Sequence, residues 1–215
     1  MTPVDQLAAG ALGLGLALSA SVQKKLLAYL ALLHKWNRIY QLTSIREPVL
    51  AVSGHLLDSL ALLPFIDADC LLDVGSGGGL PGIPLAIARA DLRVHLLDSN
   101  AKKCAFMRQA GIELELPNIA VHCGRVENFC ADAGFPVIVA RAFADLPTLV
   151  RLTRHLLRDG GHWLAMKGRR PDEELAGLPA DVTLRAQHRL QVPGVTGERH
   201  LLILADEAQR GAGFD

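Results

Sequence analysis

Apolar side chains recur at Val22, Leu26, Leu30, Leu33, Trp36 and Tyr40. Steps of three and four put them on one face of a helix, with Ser21 as the expected N-cap. A second helix is expected from about Ala51 to Leu63, punctuated by Pro48 before it and Pro64 after it. Beyond Asp69 the texture changes. Short apolar runs, Cys70 to Val74, Val94 to Leu97, Ile119 to His122, Val137 to Ala140 and Trp163 to Met166, alternate with helical patterns, the signature of parallel strands joined by crossover helices. The last two runs, Val182 to Val192 and Leu201 to Ala205, have only the turn-rich VPGVTG between them. They are expected to pair as an antiparallel hairpin at one end of the sheet. Near the N-terminus, Leu7 to Leu18 is apolar but broken by glycine, lacks a basic leader and is too short for a bilayer, so neither export nor a membrane span is expected.

The chemistry enters with the stretch LLDVGSGGGLPG, Leu71 to Gly82. It follows the first parallel strand and precedes a helical stretch from Leu80 to Arg89, whose first turn tolerates Pro81. Open parallel sheets bind ligands at such strand ends, and glycine lets a ligand approach the backbone there. Two ligands compete for the loop. Gly77, Gly79 and Gly82 satisfy GxGxxG, the dinucleotide fingerprint, and Asp98 follows at a distance suited to a ribose. Read from Asp73, the same loop is D-x-G-x-G-x-G through Gly75, Gly77 and Gly79, which resembles motif I of class I S-adenosylmethionine-dependent methyltransferases. The short chain and its terminal hairpin favour the second reading over a nicotinamide enzyme. Asp98 closes the second strand, where a carboxylate can accept from both ribose hydroxyls. Its alternative role is to cap the helix beginning near Lys102.

Composition changes this picture little. A chain of 215 residues, half of them hydrophobic, suffices for one well-buried domain and a modest extension. The expected division is a helical extension over 1–66 and a sheet domain over 67–215. Lysine plus arginine equals aspartate plus glutamate, 22 each, so net charge does not advertise a polyanion partner, although a local patch can hide in a neutral total. The four cysteines show no metal-ligand spacing, and a reduced, metal-free, cytosolic protein is expected. His55 and Asp58 lie three apart on a helix, a pair read as packing and not as acid–base machinery. Basic residues expected near the ligand edge of the sheet, where they could form such a local patch, are Lys102 and Lys103, then Lys167, Arg169 and Arg170, then Arg199 with His200.

The run LLDVGSGGGLPGIPLAI, followed by LLDSNAKKCAFMRQ, GRVENF, VIVARAFADL, AMKG and VPGVTGERHLLIL, resembles the bacterial 16S ribosomal RNA guanine-N7 methyltransferases, also called glucose-inhibited division protein B. WNRIYQLTS and HLLDSLAL match as well, so the resemblance covers nearly the whole chain. One departure is Gln41, where the pattern leads one to expect a second asparagine. The resemblance implies an α/β, Rossmann-like class I methyltransferase sheet with an N-terminal helical extension. It also implies S-adenosyl-L-methionine as cofactor and 16S rRNA of the small ribosomal subunit as substrate, in the cytoplasm. Gly75 and Leu80 would line the methionine and adenosine side, with Gly77 and Gly79 in the same loop. Asp98 would face the ribose, Val126 and Glu127 the adenine, and Arg141 would close the site. Guanine N7 carries a free lone pair, so no catalytic base is expected. Two rival classes are a nicotinamide-dependent oxidoreductase and a noncatalytic RNA-binding ribosome-assembly factor.

Overall fold

The computed structural model describes residues 2–207. Helix α1 (Pro3–Gly13) is closed by a reciprocal cap between Thr2 and Asp5. Helix α2 (Ala20–Tyr40) buries Leu26, Leu30 and Leu33 of the expected stripe, together with Tyr29 and Leu32, while Val22 and Trp36 are half-buried and Tyr40 is exposed. Its cap is Ser19 and not Ser21: Ser19 is extended and its Oγ accepts from Val22 N at 3.3 Å. The next helix starts earlier than expected, because Pro48 takes a first-turn position instead of standing outside. From α3 (Pro48–Ala51) the chain passes through a π-helical stretch, Val52–Leu57, into α4 (Asp58–Leu60). By length and composition Pro48–Phe65 could cross a membrane, but 61% of it is buried inside this fold, so packing accounts for its apolarity.

Strands β1 (Cys70–Val74), β2 (Arg93–Asp98), β3 (Ile119–Cys123), β4 (Phe135–Arg141) and β5 (Leu157–Lys167) are parallel, and β6 (Val182–Arg189) and β7 (His200–Asp206) form the antiparallel hairpin. The sheet order is β3-β2-β1-β4-β5-β7-β6, with β7 antiparallel to β5. Both β4 and β5 run longer than their expected cores: β4 begins at the buried Phe135, and β5 extends back through the exposed residues Arg158 to Gly160. Crossovers are α5 (Gly82–Ala88), α6 (Ala101–Glu113) and α7 (Leu146–Thr153), and a short α8 (Asp172–Ala176) precedes β6.

Alternation along the strands sends Leu71, Leu96, Val139 and Leu164 to one face and Leu72, Leu97, Ile138 and Trp163 to the other. The first face shares one hydrophobic cluster with α1, α2, the π-helical stretch, α5 and α6, and the second packs on α7. The N-terminal helices therefore sit on the sheet itself. Strand order reverses between β1 and β4, and the crevice outside the carboxyl ends of these strands is where such sheets take ligands.

Candidate active site

The glycine loop leaves β1 at that crevice. Gly75 N and Ser76 N both donate to Leu97 O, at 2.8 and 3.2 Å. The buried Ser76 Oγ donates to Asp73 O at 2.7 Å and accepts from Leu97 N at 3.1 Å. The loop is thus pinned to the end of β2. Gly75 and Gly77 have φ of +67° and +61°, which side chains disfavour. A Cβ on Gly75 would also lie 2.5 Å from the Phe143 ring. From the other side, Tyr29 of α2 donates its hydroxyl to Gly78 O at 2.6 Å. Asp73 is fully buried: Oδ2 accepts from Gly82 N at 2.9 Å, while Oδ1 has no partner. Burial pushes its pKa up to about 7, opposed by the bond from Gly82 and by the charge of Arg141.

Asp98 is 7% exposed. Oδ2 accepts from Gly77 N at 2.9 Å and Oδ1 from Asn100 N at 2.8 Å. Lys103 Nζ lies 3.9 Å from Oδ2. The cap of α6 is Asn100, whose side chain accepts from Lys102 N and Lys103 N. Asp98 is therefore free of the capping role. Each of its oxygens takes one backbone donor and keeps capacity for another.

Two cavities meet at Gly75 and Ala142. One, of about 440 Å³, is lined by Asp98, Val126, Glu127, Lys103 and Phe143. The other, of about 540 Å³, is lined by Gly77, Leu80, Arg141, Lys167 and Arg199, with the segment Leu42 to Ile45 as one wall. Of the expected residues, Gly79 lines neither; a Cβ there would run into Ile83. Phe143, Tyr29 and Ser76 were missed by sequence reasoning. For Phe143 the signal was its position two residues beyond Arg141.

In the second cavity Arg141 Nη1 donates to Gly54 O at 3.0 Å and to Asp58 Oδ2 at 3.1 Å, and Arg199 Nε donates to Asp58 Oδ1 at 3.0 Å. The buried Asp58 thus bridges two arginines instead of pairing with His55. His55 Nδ1 lies 3.0 Å from Gly54 O and so donates to it, which leaves Nε2 to accept from Thr43 Oγ1 at 2.8 Å. Burial, with Arg141 nearby, lowers the His55 pKa to about 4. The ring is neutral at physiological pH. Among the other basic candidates, Lys167 is held by Ala144 O and Glu174, Arg170 pairs with Asp172, and His200 is buried in β7. Lys102 lies over the Tyr40 ring at 6.0 Å.

The fold and the strand-end glycine loop define a class I S-adenosylmethionine-dependent methyltransferase. Superposition on the glycopeptide N-methyltransferase MtfA complexed with S-adenosyl-L-homocysteine gives a TM-score of 0.60 at 14% identity, covering 71% of this chain and 86% of that one. The chain belongs to the GidB family, rRNA small subunit methyltransferase G, which matches residues 22–202. It is 54% identical over 200 residues to the Ribosomal RNA small subunit methyltransferase G of Laribacter hongkongensis, covering 93% of this chain and 97% of that protein. The protein of the same name from Pseudomonas aeruginosa is 54% identical over 201 residues, covering 93% and 94%. The nicotinamide reading fails on the same topology: after β5 the sheet ends in the antiparallel β7 and β6, which leaves no second mononucleotide-binding half.

Proposed function

We propose that this methyltransferase moves the methyl group of S-adenosyl-L-methionine to N7 of a guanine in 16S rRNA of the small ribosomal subunit. The observation that carries the reading is the pair of cavities joined at Gly75: one suits a nucleoside, and the other has no side chain free to act as a base. The residues present fit the cofactor. Asp98 keeps acceptor capacity for ribose hydroxyls, Val126 and Phe143 offer apolar surface for an adenine with Glu127 beside them, and Gly75 and Gly77 leave the backbone bare. Gly79 supports the loop from behind, and Leu80 and Arg141 bound the far side. When bound, the cofactor supplies an electrophilic sulfonium methyl.

The protein's own task is to hold N7 in line and keep competing groups away. His55 fits this task, because its Nδ1 proton is committed to Gly54 O and its Nε2 lone pair to Thr43. Asp58 is committed to Arg141 and Arg199. N7 needs no deprotonation, so a base-free cavity suits it, whereas an N1, N2 or ribose-hydroxyl acceptor would need a base. We assign the helices before residue 67 to shaping this acceptor cavity, and we place the reaction in the cytoplasm with folded rRNA or the small subunit as substrate.

The test is single-turnover methylation of small subunits at saturating cofactor and substrate, with the product nucleoside identified by mass spectrometry. We expect 7-methylguanosine and a rate nearly flat from about pH 6.5 to 9. His55→Ala should leave that profile flat. A rise of slope near one through pH 7, abolished in His55→Ala, would point to a different acceptor atom.

A further inference from the structure

Between Asp5 and Glu47 the chain carries Lys24, Lys25, Lys35, Arg38 and Arg46 and no aspartate or glutamate. In a protein whose formal charge is zero, that is a strong local segregation of positive charge. Lys35, Arg38 and Arg46 are exposed. They converge with His34, Asn37 and Gln41 on a groove of about 640 Å³ along the C-terminal half of α2. Among the described residues none of the three forms an ion pair. Their charge is available to an outside partner.

The groove's position says what that partner is. Gln41 and Arg46 line it, and the four residues between them, Leu42 to Ile45, form a wall of the acceptor cavity. That segment is a ridge with the acceptor cavity on one side and the basic groove on the other. Asn37 Oδ1 fixes it by accepting from Thr43 N at 2.9 Å. A polymer with one unit in the acceptor cavity has neighbouring units at the ridge and beyond it. The groove is lined by charged and amide side chains with only Ala31 as apolar lining, which suits a chain of evenly spaced anions better than an apolar peptide.

We propose that this groove holds the phosphate backbone of the RNA strand flanking the target guanine, with the strand crossing the ridge at Leu42 to Ile45. The assignment rests on the rRNA methyltransferase reading and adds where the substrate lies. Binding would come mainly from counterion release, so it carries a salt signature.

The test compares wild type with Lys35→Ala/Arg38→Ala/Arg46→Ala and with a charge-matched control, Arg151→Ala/Arg158→Ala/Arg185→Ala, whose arginines are exposed elsewhere. Filter binding of small subunits and of protein-free 16S rRNA is measured over a series of salt concentrations, alongside KM and calorimetry with S-adenosyl-L-homocysteine. For single-stranded contacts each lost phosphate should flatten the log–log salt slope by about 0.7, equivalent to about fivefold in affinity at 0.1 M salt. Three lost contacts should therefore cost about 100-fold and flatten the slope by about 2, with cofactor affinity unchanged. A groove variant that behaves like the control would overturn the proposal. So would an effect seen on subunits but absent on protein-free rRNA, which would assign the groove to an acidic protein surface. Absence of methyl transfer by the wild type would sink the functional reading, while the binding slopes would still decide the groove.

Discussion

Asp98→Ala is the perturbation that best separates a ligand-binding carboxylate from a structural one. The side chain accepts from Gly77 N and Asn100 N, so its removal touches the scaffold as well as the cavity. Hydrogen bonds to a charged acceptor are each worth about 1.5–3 kcal/mol. The vacated space opens on the cavity, so water can satisfy both freed N–H groups, and the expected loss of stability is about 1–3 kcal/mol in total. Helix α6 should persist, because its cap is Asn100. Cofactor affinity should fall further still: the ribose loses its charged acceptor, about 1.5–3 kcal/mol, and the loop carrying Gly77 loses its anchor. The first contribution alone is about 10- to 150-fold in Kd. Calorimetry with S-adenosyl-L-homocysteine reads the affinity, NAD serves as the negative control, and urea unfolding reads the stability. A variant that loses stability yet binds within threefold of wild type would refute the ribose assignment.

Gly77→Val should abolish cofactor binding while costing the fold only about 1–2 kcal/mol, because a Cβ there meets nothing nearer than Gly75 O at 3.8 Å and the penalty is the left-handed backbone; undiminished binding would remove this face of the loop from the site. Burial raises the Asp73 pKa to about 7, so its ionisation costs stability: the cost is absent below the unfolded pKa near 4, grows as pH rises towards 7 and is constant above. Asp73→Asn should flatten urea midpoints between pH 4 and 7, by at most about 4 kcal/mol, and an unchanged pH profile would refute the shifted carboxyl. Gln41 sits at the left-handed C-cap of α2 with φ of +50°, so Gln41→Gly should stabilise by about 1 kcal/mol in thermal unfolding; a loss would show that the amide contributes more than the backbone costs.

That last position explains a departure visible in the sequence. Asparagine tolerates the left-handed region better than glutamine, and Gln41, where the resemblance leads one to expect an asparagine, is in the fold a helix-ending backbone position. Periodicity and strand–helix alternation gave α2, the parallel strands with their crossovers and the terminal hairpin, because burial on one or both faces is written directly into hydrophobic spacing; α1 and α8 were not read from it. The convergence of the glycine loop and Asp98 was legible for a related reason: they follow neighbouring parallel strands, and the structure joins them through Gly77 N and Asp98 Oδ2. Helix starts slipped by a few residues at Ser19 and Pro48, where capping depends on the dihedral angles of a single residue. The acceptor cavity was not legible, since its walls come from segments far apart in the chain: Thr43 and His55, Asp58 with Arg141 and Arg199, and Tyr29 holding Gly78. No local pattern encodes those contacts. They exist because the N-terminal helices bury their apolar stripe on the same sheet face as α5 and α6, which brings their polar edges to the mouth of the crevice.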